Sequence, residues 1–260
     1  MKKILLAAAF STLSILSANA VVITQFNFNS SVSDSNTSTG NAGPSTGSGS
    51  QSNIGGTTAA FVSGATSSDP AVNTDDSALS LGSYPTQGLN SGTAGLAIVT
   101  STSGFNGISI SFDFRASSTA SQYYQLQIST TASPAFSNVS GGTGSVGTQG
   151  TNNTVSLSNT GLFSFQTTTG TNFATGVTYS FSLGSAVENN PNFAFRLVSV
   201  FAPTTSAYAP ANSGSTYSAA GNTSFDMVTV NGTAIPEPAT YMLMGLGVLI
   251  CAQQFRRKRS

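Results

Sequence analysis

"GISISFDFRA", residues 107–116, alternates apolar and polar side chains without a break. In an extended chain successive side chains point to opposite faces. Ile108, Ile110, Phe112 and Phe114 therefore share one face, and Ser109, Ser111, Asp113 and Arg115 the other. "YYQLQIS" (123–129) repeats the pattern, with Tyr124, Leu126 and Ile128 set against Tyr123, Gln125, Gln127 and Ser129. "VTYSFSL" (177–183) places Val177, Tyr179, Phe181 and Leu183 in one register. "NFAFRLVSVF" (192–201) is apolar on both faces except at Arg196, which predicts a central, covered strand. "TSFDMVTV" (223–230) predicts a closing strand, and shorter signals lie at 21–28, 78–81, 95–99, 155–157 and 162–167.

Between these runs the chain is Gly-, Ser-, Thr- and Asn-rich, and it shows no 3.6-residue period with helix caps. The expectation is all-β: one antiparallel β-sandwich, jelly-roll-like, over residues 21–233. No repeat of fixed period points to a solenoid or propeller. The low-complexity stretches 30–53 and 140–153 are expected to be mobile insertions.

Charge is scarce and unevenly placed. Of eight Lys/Arg, six sit at the extreme ends, namely Lys2, Lys3, Arg256, Arg257, Lys258 and Arg259. The body keeps Arg115 and Arg196 against Asp34, Asp69, Asp75, Asp76, Asp113, Glu188 and Asp226, so two minus seven leaves it near −5. Nucleic acid is bound by clustered Lys/Arg that displace counterions, and this body has no such cluster. The chain contains no His, and its single Cys251 lies in the C-terminal apolar run. That excludes a disulfide within the body, any His/Cys metal site there, and Ser-His-Asp or Cys-His catalysis.

Both ends read as addresses. "MKKILLAAAFSTLSILSANA" (1–20) joins a basic start to an apolar run and ends in Ala18-Asn19-Ala20, the small residues a signal peptidase admits at Ala18 and Ala20. A cleaved secretory signal helix over residues 1–20 is expected. At the other end, Pro236-Glu237-Pro238 precedes an apolar run that begins at Ala239 and closes at Phe255, followed by Arg256, Arg257, Lys258 and Arg259. As a helix at ~1.5 Å per residue the run reaches roughly 25 Å, just short of the ~30 Å hydrocarbon core. It would be a transmembrane helix at the lower limit of length, with its basic end in cytoplasmic headgroups and everything before Ala239 outside. The two prolines hold the approach extended and open to a processing enzyme.

This order of motif, short span and basic terminus resembles the PEP-CTERM sorting domain, here residues 234–260. The resemblance implies recognition of the tail by an exosortase, transient anchoring in the inner membrane, and release to the cell surface or extracellular matrix. Residues 77–230, above all Asn190-Pro191-Asn192-Phe193-Ala194-Phe195-Arg196, are also similar to a recurring β-sandwich ectodomain of PEP-CTERM proteins to which no activity is assigned. A more remote similarity runs to jelly-roll carbohydrate-binding modules, from which this chain departs in having no Trp.

Several residues in the body invite a site. Arg115 and Arg196 can act as a binding pair for a carboxylate or uronic-acid sugar, or can pair with Asp113, Glu188 or Asp226 at the sheet surface. Tyr84, Tyr123, Tyr208 and Tyr217, if exposed, can stack on sugar rings, or else anchor loops. Asp69, Asp75 and Asp76 crowd one loop, "SSDPAVNTDDSALS", and with Asp226 offer hard oxygen ligands for a structural calcium, the one cofactor the sequence leaves open. An Asx-turn explains the loop equally well.

The function expected is that of an exported, non-enzymatic surface or matrix protein, structural or adhesive in extracellular polysaccharide. A carbohydrate-binding module is the rival. A glycosidase would need two acids of the set Asp113, Glu188 and Asp226 facing one cleft.

Overall fold

The computed structural model describes residues 19–71, 74–132 and 135–236, and every regular element among them is a β-strand. In chain order these are β1 (Ala20–Phe26), β2 (Thr46–Gly47), β3 (Ser50–Ile54), β4 (Thr58–Ser63), β5 (Ser77–Gly82), β6 (Gly95–Thr100), β7 (Phe105–Ala116) and β8 (Tyr123–Ser129). There follow β9 (Ser137–Asn138), β10 (Thr143–Ser145), β11 (Asn153–Leu157), β12 (Leu162–Thr167), β13 (Ala174–Ser180), β14 (Phe193–Ser199) and β15 (Thr223–Ala234). The expected signal helix, with Ala18, and the tail from Glu237 through the apolar run to Arg259 lie outside the described residues, whereas Ala20 opens β1 and Pro236 lies just past β15.

The strands form two antiparallel sheets. The first runs β10-β13-β7-β15-β1-β2, with β5 joining β15 beside β1 and β4 outside β5. The second runs β11-β12-β8-β14-β6-β3, with β9 on β8. From β5 to β8 the chain changes sheet at every strand, and it does so again from β12 to β15.

The alternation at 107–116 explains how the sheets meet. Ile108, Ile110, Phe112 and Phe114 are all buried, and Phe114 stands at the centre of an aromatic knot. Its ring lies 4.9 Å from Tyr124, 5.0 Å from Phe163, 5.2 Å from Phe165 and 5.2 Å from Phe225, each edge-on. Edge-to-face pairs set the positive rim of one ring against the negative face of another and add to the burial itself. Since Phe114 and Phe225 belong to the first sheet and the other three to the second, one side chain joins both layers. β14 runs between β8 and β6, which explains why its sequence is apolar on both faces.

Three expectations need correction. Residues 30–53 are not a loose insertion. They contain β2 and part of β3, and Asp75 Oδ1 accepts the N–H groups of Asp34 and Ser35 at 2.8 and 2.9 Å. Gly47 (φ 73°) also lies so close to the Ile23 carbonyl that no side chain fits there. Residues 140–153 likewise contain β10, and the Gly142 N–H donates to Tyr179 Oη (3.1 Å). Leu183 leaves the register of Val177 and Tyr179: β13 ends at Ser180, and Leu183 is 79% exposed.

Truncating Phe114 removes the shared ring from both sheets. Phe114→Ala is expected to lower unfolding free energy by ~3–5 kcal/mol, while Ser109→Ala on the opposite face changes it by less than about 0.5 kcal/mol. Denaturant unfolding followed by tyrosine fluorescence measures both.

Candidate metal centre

β15 carries Phe225 and Val228 into the core and Asp226 onto the outer face of the first sheet. A bulge between Asp226 and Thr229 makes room there, with Met227 in the left-handed region (φ 46°). Across the strand pair, Asp226 is the direct partner of Asp113 on β7. Two like charges placed opposite each other in a ladder repel, so each needs its own compensation.

Asp113 is fully provided for. Its Oδ1 accepts the Gly176 N–H (2.8 Å), from the bulge of β13, and its Oδ2 accepts the Ser68 N–H (2.5 Å). Ser68 belongs to the β4–β5 connection, which folds over this outer face and so buries a position that alternation alone makes polar and exposed. Asp226 has less. Its Oδ1 accepts the Met227 N–H (2.7 Å), but its Oδ2 has no hydrogen-bond partner although the residue is 0% exposed. The same connection brings in Asp76, 2% exposed, whose Oδ1 is also without a partner, and Asp69. Carboxylate oxygens of Asp69, Asp76 and Asp226 all lie within 4.8 Å of one another.

The electrostatics follow from this crowding. Burial, reinforced by the Asp69 charge, raises the Asp76 pKa to about 6. Burial raises Asp226 to about 9, against the opposing pull of the Ser67 hydroxyl and the Met227 N–H. Burial also raises Asp113, countered by the Ser68 and Gly176 amides. Arg115 is the cation nearest to hand, two residues along β7. Its guanidinium donates to the carbonyls of Ser63 (3.0 Å) and Thr171 (3.2 Å) and lies 4.6 Å over the Phe173 ring. Burial lowers its pKa, while the charges of Asp226 and Asp76 raise it. Of the clustered acids, the guanidinium is thus drawn to Asp226 and Asp76, and its hydrogen bonds go to backbone carbonyls.

The other residues singled out in the sequence fall elsewhere. Arg115 and Arg196 do not form a binding pair. They stand on the outer faces of different sheets, behind Phe114 and behind Phe195 and Leu197. Arg196 donates through Nε to Gln127 Oε1 (2.6 Å) and lies 4.4 Å over the Phe136 ring. Glu188 meets neither arginine, because it accepts the N–H groups of Gly107 and Gly184 and so closes its own turn.

Tyr84, Tyr208 and Tyr217 are buried rather than exposed, and no sugar-stacking platform forms from them. Tyr84 pairs with the Thr223 hydroxyl, Tyr217 donates to the Pro85 carbonyl (2.6 Å), and Tyr208 donates to Leu89 (3.0 Å) while stacking on Tyr217 at 4.7 Å. Tyr123 is half-buried on β8. Asp75 turns away from Asp76 to hold Asp34 and Ser35, and it drops out of the proposed calcium ligands. Sequence reasoning missed that Asp113 faces Asp226. The available signal was the acid that follows a core phenylalanine in both "SFDFR" and "SFDMV".

Residues 234–259 match the PEP-CTERM protein-sorting motif. That motif implies export, a membrane-anchored C-terminal signal and recognition by an exosortase. Searches of curated proteins and of solved structures found no match to the chain.

A carboxyl whose pKa rises on folding binds its proton more tightly in the folded state, so stability falls as pH climbs from the unfolded value through the folded one. For cation-free protein that window runs from 3.8 to about 6 for Asp76 and on to about 9 for Asp226. The thermal midpoint, measured in chelator, is expected to fall between pH 6 and pH 9. Asp226→Asn, which keeps the neutral shape, should flatten that slope. Asp75, held below its ordinary value chiefly by the Asp34 N–H, acts only at lower pH.

Proposed function

We propose that this is a non-enzymatic protein of the cell surface or extracellular matrix, structural or adhesive within extracellular polysaccharide. Its ectodomain is a jelly-roll sandwich cut from its tail by an exosortase. The observation that carries the proposal is the sorting motif at residues 234–259, which begins at the last residue of β15. The jelly-roll reading is supported by the strand order: β13-β7-β15-β5 in one sheet and β12-β8-β14-β6 in the other, with the chain crossing between them as two Greek keys do. The non-enzymatic reading is supported by the acids themselves. Asp113 is saturated by backbone amides under a covering loop, and Glu188 is engaged in a turn.

Intact mass of the protein from culture medium and from washed envelopes tests the sorting. Loss of residues 1–20 together with a C-terminus near Pro236–Pro238 is the expected form, and Glu237→Ala should shift the protein to the uncut envelope fraction. A chain that runs through Ser260 and occurs only in membranes would overturn the proposal.

Carbohydrate binding is the second reading, and it now rests on a different surface. A cavity of about 230 Å³ on the outer face of the first sheet is lined by Gln25, Ser111, Thr229 and Asn231 among others, amides and hydroxyls suited to sugar hydroxyls. Retention of the protein on its native polysaccharide, weakened at least about fivefold by Asn231→Ala at unchanged stability, would favour this reading. Retention unaffected by the change would count against it.

A further inference from the structure

We infer that Asp69, Asp76 and Asp226 bind a calcium ion that pins the β4–β5 connection to β15. The acidic cluster alone would not say so, since acids can gather without a ligand. The oxygens inside it do. Asp76 Oδ1 and Asp226 Oδ2 are enclosed, adjacent and without a hydrogen-bond partner. A buried carboxylate oxygen left in that state is strongly unfavourable. Two such oxygens side by side are reconciled by a proton shared between the two carboxyls or by a cation held between them, and the nearby Ser67 hydroxyl offsets only part of the cost.

Two features favour the cation, and a third shows how tightly the oxygens are gathered. Asp113 stands directly across the ladder from Asp226, and its oxygens are held by two backbone amides, so the site carries a further carboxyl beyond the three ligands. Arg115 directs its hydrogen bonds to the Ser63 and Thr171 carbonyls rather than to any of these carboxyl groups. Gly64 borders the cluster, and a Cβ there would run into Asp76 Oδ1 and come within 2.8 Å of Asp226 Oδ2. The two oxygens therefore pack directly against the Gly64 backbone, which places them together in one enclosed spot.

The donor set names the class of ion. All three ligands are carboxylates, and the chain has no His, while its one Cys lies in the tail. Hard oxygen donors select calcium or magnesium over zinc or copper. Magnesium demands near-octahedral geometry and keeps most of its water, whereas calcium accepts irregular shells of roughly six to eight oxygens. Enclosure under a folded loop suits calcium. Bound there, the ion would tie two residues of a surface connection to the strand at the middle of the first sheet.

The test uses the full chain in detergent, stripped with chelator and titrated with calcium chloride in a calorimeter, with thermal melting in parallel. One site is expected, with a dissociation constant of ~10⁻⁴–10⁻³ M or tighter and a rise in melting temperature with calcium. Asp226→Asn should weaken binding at least about tenfold and remove the calcium-dependent rise, yet fold in chelator at least as stably as the parent. Asp75→Asn should leave both readouts unchanged. Absence of heat and of any melting shift at about 10 mM calcium would overturn the inference. So would a response that survives Asp226→Asn, or an equal response to magnesium.

Discussion

The pairing of β15 is the constraint on which the rest of the molecule depends. One of its edges runs along nearly the whole of β7. The other is shared, with β5 taking Thr223 to Phe225 and β1 taking Val228 to Thr233. Asp226 and Met227 sit at the hand-over, where neither outer neighbour pairs with them and the bulge relieves the change of register. The same strand supplies Phe225 to the aromatic knot around Phe114 and Asp226 to the acidic cluster behind it. The dry core and the charged outer pocket are thus two sides of one strand.

The cluster also explains an oddity of composition. A body with seven acids and two arginines is poor in charge, and it does not spread that charge over its surface. Four of the acids, Asp69, Asp76, Asp113 and Asp226, converge with Arg115 beneath the β4–β5 connection, while hydroxyls and amides face solvent. Buried ionisable groups are expensive unless each is paired or hydrogen-bonded. The connection is accordingly fixed at several points, through Ser68 to Asp113, through Gly64 to the Asp76 carbonyl and through Asp69 to Asn29.

Period-2 alternation made the inner strands legible. It works where one face is dry, as at Ile108–Ile110–Phe112–Phe114, and it also located β14, whose two apolar faces mark a strand with neighbours on either side. It could not find β3, "SQSNI", or β10, "TGS". Those strands are held by backbone pairing at or near sheet edges and have no apolar face to betray them. The tyrosines misled because an amphipathic ring satisfies its hydroxyl equally well in water or, as Tyr217 does, on a buried carbonyl. Asp75 and Asp76 are neighbours in sequence, yet Asp75 lies in the turn before β5 and holds the 30–53 stretch, whereas Asp76 joins Asp226 of β15. That Asp113 would meet Asp226 required the topology, because only the β7–β15 ladder brings the two together.

The pairing of β1 with β15 carries a consequence of timing. Val21 lies opposite Gly232, so the first strand of the body finds its partner in the last. Non-local pairings of this kind close slowly. In a chain exported from its N-terminal end, β15 is the last strand to cross, and only Ile235, its N–H still bonded to the Gly104 carbonyl, separates it from Pro236. A tail lodged in the bilayer at that moment holds the unfinished sandwich at its point of exit, with the long edges of β7 and β1 still open to any neighbouring chain. A sorting signal anchored in this way would also act as a tether during assembly.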